Sequence, residues 1–383
     1  MAGTALAVVL GDIDLVRALG LAGIASAFVG SGEAPARYSR HVEALLPSED
    51  EEQTIASLLR FGGAQAEPPV IYPQTDAALL MTSRRREELS AAFRFRLADS
   101  ALIEQLVNKD RFQALAERRG LPVPRAHRLA IRRDGLPPAL DVPCPLVVKP
   151  TTRTGDWASL SHGCKALYVG GPDDWAALWP RLGSSGCDYI VQELIPGPES
   201  AIESYHAYVD DRGAVAGEFT GRKIRTYPAR HGSSTAVEIV ELPDVAALGR
   251  QVLATLGLRG VAKADFKRDA GGRLHLLEVN PRFNLWHHPA AVAGVNLPAL
   301  VHADVTGAPR PAGRRAMRRV TWCAPLTDLR AASVSGVSPL RWVRFARGCD
   351  TMSGLSRDDP LPFLRGTLRS AVMRRLPHRR RTG

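Results

Sequence analysis

Cysteine is scarce in this chain: five in 383 residues, at Cys144, Cys164, Cys187, Cys323 and Cys349, odd in number, scattered and without a Cys-x-x-Cys pair. That pattern excludes a disulfide framework and a cysteine zinc site, and it suits a reducing compartment. Long apolar runs are missing as well. No segment approaches the roughly 20 apolar residues of a membrane-spanning helix. The opening MAGTALAVVLGDIDLV has no basic leader segment and is interrupted at once by Asp12 and Asp14, so a cytoplasmic protein is expected. The first apolar run is not followed by Gly-x-Gly-x-x-Gly, so nothing marks a dinucleotide site. Internal repeats and low-complexity core segments are also lacking.

Charge is unevenly distributed rather than absent. The formal net charge is +11, yet 311–383 alone hold 16 Arg and 4 Asp, leaving 34 basic and 35 acidic residues in the first 310. The body is neutral and the tail basic. No RNA-binding aromatic signature accompanies that charge, so nucleic acid is not an expected partner. The terminal RRLPHRRRTG reads as a solvated terminus, with peripheral membrane or anionic-acceptor contact as the alternative.

What is present is material for two or three cores, with 45% hydrophobic residues. ALAVVLGD reads as a buried parallel strand, LVRALGLAG as a helix and IASAFVG as a second strand, a βαβ opening. VIYPQTD reads as another strand and SRRREELSAAFRF as a helix. A helix through NKDRFQALAERRG ends at Gly120, with Pro122 and Pro124 beyond it. A small α+β unit follows, with strands CPLVVKP, CKALYVG and DYIVQELIPG around the helix PDDWAALWPRL. AIESYHAYVD and AVAGEFTGRKIRTY form a hairpin, VAALGRQVLATLGL an amphipathic helix, and VAKADFKRDAGGRLHLLEVNPRF a hairpin turning at DAGG.

In that last hairpin the period of two puts Lys263 and Asp265 on one face of the first strand, and Glu278 and Asn280 on one face of the second, with Leu277 and Val279 pointing away. Where those faces coincide, two carboxylates and an amide oxygen converge, a donor set for Mg²⁺ completed by substrate phosphates. Lys149 ends an apolar strand, which fits either a bound anion or a snorkelling side chain. VQELIPGPES offers apolar Leu194 and Ile195, backbone at a Pro-Gly turn, and the Glu199 carboxylate, features that suit adenine and ribose. Arg222, Lys223 and Arg225 either bind phosphate and a substrate carboxylate or form a solvated strand edge. One of His287 and His288 is expected to line the substrate pocket. His206 and His231 are read as packed residues.

The series NKDRF…GLPVP, PLVVKP, VQELIPGPE, KADF and LLEVNPRF resembles the ATP-grasp superfamily over roughly residues 1–309. FTGRKIRTYPARHGSS, VIYPQTD and LLEVNPRFNLWHHPAAVAGVNLP further resemble its D-aspartate-ligase-like carboxylate–amine ligases. The resemblance implies an α/β fold with an α+β lid. It divides into a Rossmann-like pre-ATP-grasp domain over 1–106, a lid over 107–195, a metal-bearing C-terminal subdomain over 196–310 and a basic extension over 311–383. It implies that Lys109 and Lys149 hold the α/β-phosphates, that Gln192, Glu193, Leu194 and Ile195 form the adenine hinge, and that Glu199 takes the ribose. It also implies that Asp265, Glu278 and Asn280 ligate one or two Mg²⁺, with Mn²⁺ as a substitute. Lys263 stands where the family commonly has an arginine that steadies phosphate or the tetrahedral intermediate, and Arg282 matches a phosphate- or carboxylate-binding arginine. The loop TTRTGDWASLSHG is poor in glycine for this family, so Thr154, Ser159 or Ser161 are expected to help cover the γ-phosphate.

The implied activity is ATP-dependent amide-bond formation between a small-molecule carboxylate and an amine, one of them an amino acid, through an acylphosphate; dimers are common among such ligases, and the sequence leaves monomer and homodimer both open. Phosphoryl transfer without ligation, and ATP binding without turnover, are the competing readings.

Overall fold

The computed structural model describes residues 5–368, except 32–33, 130–137, 139, 152–156, 158–159, 162–163 and 184–186. Thr154, Ser159 and the terminal RRLPHRRRTG lie outside the described residues.

Four buried or half-buried segments, β1 (Ala7–Leu10), β2 (Ser26–Val29), β3 (Val42–Leu46) and β4 (Val70–Pro73), pair in parallel in the order β3-β2-β1-β4. This is the expected Rossmann-like opening. The first helix, Ile13–Gly20, starts where Asp12 turns its carboxylate back onto the N–H groups of Asp14 and Leu15, satisfying donors that the helix cannot. β3 and the helix Glu51–Gly63 were not anticipated. β3 is an edge strand whose first four residues alternate between half-buried and exposed, so it lacks the apolar run that marks β1.

A second sheet holds β5 (Ala126–Leu129), β6 (Leu146–Pro150), β7 (Leu167–Val169) and β8 (Tyr189–Glu193), antiparallel in the order β5-β8-β6-β7. Leu146, Val148 and Val191 on one face pack with Trp175, Leu178, Trp179 and Leu182 of the helix Pro172–Gly183, forming a separate core. The alternate residues Lys149, Ile190 and Gln192 are left for the other face.

The third sheet is built from β9 (Ile202–Val209), β10 (Val215–Tyr227), β11 (Ser233–Ile239), β12 (Gly260–Arg268), β13 (Leu274–Asn280), β14 (Val320–Cys323) and β15 (Thr351–Met352). Their order is β13-β12-β9-β10-β11-β14-β15. One face, with Ala262, Ala264, Phe266, Leu276 and Val279, is covered by apolar residues of the helices Pro243–Thr255, Ser100–Val107 and Lys109–Arg118. The other face is divided. Tyr208, Phe219 and Val237 continue into the core shared with β1 and β4, while the end carrying Asp265 and Glu278 is polar. Gly221 serves the boundary: a Cβ there would stand 2.5 Å from the Glu238 carbonyl oxygen and 2.8 Å from the Trp286 ring.

Residues beyond 310 are part of this architecture, since β14 pairs with β11 and β15 with β14. Two buried polar knots tie them to the N-terminal sheet. Asp14 accepts hydrogen bonds from Trp322 Nε1 at 3.1 Å and Ser353 Oγ at 2.6 Å, and it lies 3.1 Å from His288 Nδ1. Arg17 donates to the Gly354 and Asp359 carbonyls at 2.9 and 2.8 Å and pairs with the Asp359 carboxylate, both side chains being 4% exposed. His288 therefore belongs to a structural knot.

Candidate active site

A cleft opens between the small antiparallel sheet and the polar end of the central one. Its floor is the β12–β13 hairpin. The register sets Lys263 opposite Asn280 and Asp265 opposite Glu278, so the four side chains share one face. One extra residue is accommodated between the Asp265–Glu278 and Phe266–Leu276 pairs. That residue, Leu277, lines the cleft, whereas Leu276 and Val279 pack in the core on the opposite face. The strict alternation expected for Leu277 and Val279 is corrected here by a β-bulge, which re-aims one side chain and keeps the next carboxylate on the working face.

The floor is electrostatically tense. Asp265 accepts from Lys263 Nζ at 2.7 Å and from Ser204 Oγ, and Asn280 Nδ2 donates to Glu278 Oε1 at 3.0 Å. Burial works against an ionised Glu278, yet Lys165, Lys263, the Asn280 amide and Lys223 hold it well below the usual carboxylate range. Burial pulls Lys263 down, opposed by Asp265. Among the described residues no group of three or more His, Cys, Asp and Glu side chains could hold a metal. Two carboxylates and an amide oxygen nevertheless fit a hard divalent ion such as Mg²⁺, which keeps waters and takes phosphate oxygens for the remaining positions.

The opposite wall comes from the small sheet. Lys149 donates to Gln192 Oε1 at 2.8 Å, and Gln192 Nε2 donates to Gln113 Oε1 at 3.0 Å. Gln113 in turn donates to Glu117 Oε1 and the Pro124 carbonyl, so the relay fixes the amide orientation that faces the lysine. Burial pushes the Lys149 ammonium down to about 8. Lys109 begins its helix behind the Asn108 cap and also lines the cleft. Glu199 lines it with a buried Oε2 that has no hydrogen-bond partner among the described residues, an acceptor open to a ligand hydroxyl. Lys223 lines it at 8% exposure and makes no ion pair among the described residues, an arrangement that favours a bound anion. Arg282 closes one end, held to Asp76 Oδ1 at 2.5 Å and the Gln74 carbonyl at 2.9 Å at the C-terminal end of β4.

The cleft thus gathers Lys109, Lys149, Gln192, Glu199, Lys223, Asp265, Glu278, Asn280 and Arg282. The other expected residues are not brought together with these. Glu193, Leu194 and Ile195 do not line it, and the N–H groups of Glu193 and Leu194 already donate to the Arg125 and Pro145 carbonyls at 2.8 and 3.0 Å. Arg222 pairs with Glu238 outside the cleft. Arg225 makes a bidentate pair with buried Asp328, and its guanidinium lies 4.1 Å over the Phe345 ring. His287 is fully buried among Phe219, His206 and Phe283, where desolvation lowers its pKa to about 3. Lys263 lies beneath the lining, 5.2 Å from the Trp286 ring centroid. Ser161 is buried and does not line the cleft.

Three ionisable lining residues were missed, namely Asp76, Lys165 and His231. The Lys165 N–H donates to the His231 carbonyl at 3.0 Å, linking the small sheet to the β10–β11 loop. His231 itself sits at φ 55°, and burial lowers its pKa to about 4.

Comparison with known proteins bears on this arrangement. The family model described as ATP-grasp in the biosynthetic pathway with Ter operon matches residues 187–326. An ADP complex of N5-carboxyaminoimidazole ribonucleotide synthetase superimposes with TM-score 0.67 at 14% identity, over 88% of this chain and 85% of that one. The chain has the ATP-grasp fold, and its residues 187–326 resemble that family in sequence. Another ATP-grasp neighbour is the L-amino acid ligase from Bacillus licheniformis, with TM-score 0.62 and 17% identity over 83% of this chain and 79% of that one. In sequence, the D-aspartate ligase of Enterococcus faecium is 25% identical over 300 residues, 73% of this chain and 70% of the relative. The D-alanine–D-alanine ligase of Stutzerimonas stutzeri is 28% identical over 217 residues, 54% of this chain and 65% of the relative. The match thus spans slightly under two thirds of that second ligase.

Proposed function

We propose that this ATP-grasp protein joins a carboxylate to an amine at the expense of ATP, through an acylphosphate, with an amino acid as one substrate. The observation that carries the reading is the convergence, in one cleft, of an oxygen donor set (Asp265, Glu278, Asn280) with half-buried Lys149, buried Lys223 and a Glu199 acceptor that has no partner among the described residues. The ligase names of its sequence relatives support the reaction class, and the amino acids in those names support the substrate class.

In this reading Glu199 Oε2 accepts from the ribose, and Lys109 and Lys149 neutralise the phosphates. Lys223 faces the terminal phosphate or the incoming carboxylate. Asp265, Glu278 and Asn280 would hold Mg²⁺, which when bound would supply charge neutralisation to the phosphates. The substrate carboxylate oxygen attacks the γ-phosphorus, the bond to the bridging oxygen of ADP breaks, and ADP leaves. The amine nitrogen then attacks the acyl carbon, its C–O bond to phosphate breaks, and phosphate leaves while the nitrogen loses a proton. Arg282, held by Asp76 at the end of β4, is suited to the carboxylate of an amino acid. No side-chain nucleophile is needed.

The test is ADP and phosphate release with Mg-ATP across a panel of D- and L-amino acids and small carboxylates. Release stimulated by one acid–amine pair, with an amide detected by mass spectrometry, is the expected result. A phosphate ester as product, or tight ATP binding with no stimulated release, would overturn it.

The pH dependence of binding follows from Lys149. In the free protein its ammonium is lost as pH rises through about 8, whereas a triphosphate favours the charged form and raises that value. ATP affinity is therefore expected to fall above pH 8, by up to roughly tenfold per unit, with proton uptake on binding. Calorimetry at pH 8.5 in two buffers of different ionisation heat measures the uptake. Zero uptake would remove Lys149 from the phosphate site.

A further inference from the structure

From the face formed by the helices Pro325–Val334 and Pro339–Arg347 together with the β10 end, we infer that this protein docks on a bilayer surface carrying anionic headgroups. The inference is independent of the reaction proposed above. The second helix divides its residues sharply. Trp342 donates to Asp328, Phe345 lies under Arg225 and Ala346 is buried, so that side is spent on the fold. Leu340, Val343, Arg344 and Arg347 recur at helical spacing on the outward side. Leu340 is 80% exposed, an extreme value for a residue of its size, and Val334 on the neighbouring helix is 67% exposed.

The two helices meet at a shallow groove lined by Tyr227, Leu329, Val334, Val337 and Pro339, and Leu340 follows directly on Pro339, so exposed apolar residues gather around this groove. Its charge is of one sign. Residues 329–349 contain four arginines (Arg330, Arg341, Arg344, Arg347) and no acidic residue. All four are exposed, and none makes an ion pair among the described residues. The nearest acid in sequence on the first helix, Asp328, is fully buried and already committed to Arg225, Thr235 and Trp342.

This combination selects the occupant. A second copy docked through the same face about a two-fold axis would set four arginines against the same four with no carboxylate between them. A plane of anionic headgroups offers the missing counter-charge, and the acyl boundary beneath it takes protruding Leu340 and Val334. No helix among the described residues is long and apolar enough to cross a membrane, so the contact is peripheral. Six further arginines follow in 369–383 and add charge of the same sign.

The test is co-sedimentation of the full chain with vesicles of phosphatidylcholine alone and of phosphatidylcholine with about 30% phosphatidylglycerol. Binding is expected to the anionic vesicles only, weakening as salt rises. The double variant Val334→Asp/Leu340→Asp and the double variant Arg344→Glu/Arg347→Glu should each weaken it by roughly tenfold or more, with an unchanged melting temperature. Loss on neutralising the arginines of 369–383 while V334D/L340D binds normally would overturn the docking face in favour of tail adsorption. Failure to bind either vesicle would also overturn it, as would a concentration-dependent dimer in light scattering that V334D/L340D abolishes.

Discussion

Glu278→Gln is expected to lower ATP turnover by about two to three orders of magnitude and to leave the fold standing. The substitution is isosteric, and in the hairpin Asn280 Nδ2 is the one side-chain donor directly on the carboxylate. What changes is charge. Glu278 sits in the field of Lys165, Lys263 and Lys223, which keeps it ionised in spite of burial. An amide there leaves Asp265 as the single carboxylate of the donor set, and Asp265 already serves Lys263 and Ser204. A divalent ion held by one carboxylate and two amides binds more weakly, and the terminal phosphate loses its neutralising partner. Steady-state ADP release across a magnesium titration, with a thermal melt as the control for folding, measures the effect. Turnover within tenfold of the unaltered protein at saturating magnesium would remove Glu278 from the metal site.

Arg225→Ala should act on stability rather than on substrate binding, costing about 3–5 kcal/mol. Arg225 donates from Nε and Nη2 to the two oxygens of Asp328 at 2.9 and 2.6 Å. The Asp328 side chain is fully buried, with Thr235 Oγ1 at 2.9 Å and Trp342 Nε1 at 3.0 Å as its other donors. Removing the guanidinium leaves a buried carboxylate with two neutral hydrogen bonds and strips the cation from the Phe345 ring. Arg225→Lys should recover only part of the loss, because an ammonium cannot reproduce the planar two-point contact. Chemical denaturation resolves the question. An unchanged midpoint for Arg225→Ala, accompanied by a raised KM for the acid or amine, would return Arg225 to the substrate site.

These two residues show what could be read in advance. The Asp265, Glu278 and Asn280 face followed from a period of two and a DAGG turn, both local features, and the register obeys them. The bulge that turns Leu277 into the cleft carries no such local mark, because LHLLEV reads equally well as unbroken alternation. Lys149 was legible as a cation at the end of an apolar strand. Its partner Gln192 was legible only as a hinge residue, because the Lys149–Gln192–Gln113 relay joins two strands and a helix far apart in sequence.

Arg225 failed for the same physical reason at longer range. Its partner is 103 residues away, one of four aspartates in a segment whose sixteen arginines dominate its composition. Lys165 and His231 meet through a backbone hydrogen bond between two sheets, to which side-chain pattern is blind. The parallel sheet was recovered where its strands are buried throughout and lost at β3, whose half-exposed alternation looks like loop sequence.

The knot between Arg17 and Asp359 also has a meaning in time. The two residues are 342 positions apart. At synthesis rates of about 5–20 residues per second, the guanidinium is made roughly 20–70 s before its carboxylate exists. Asp14 waits almost as long for Trp322 and Ser353, and the edge of β11 stays unpaired until β14 emerges. The N-terminal sheet is therefore made long before it is sealed. Until the segment from Val320 to Asp359 arrives, the nascent protein carries an open strand edge and two charges without these partners, the kind of surface that chaperones hold.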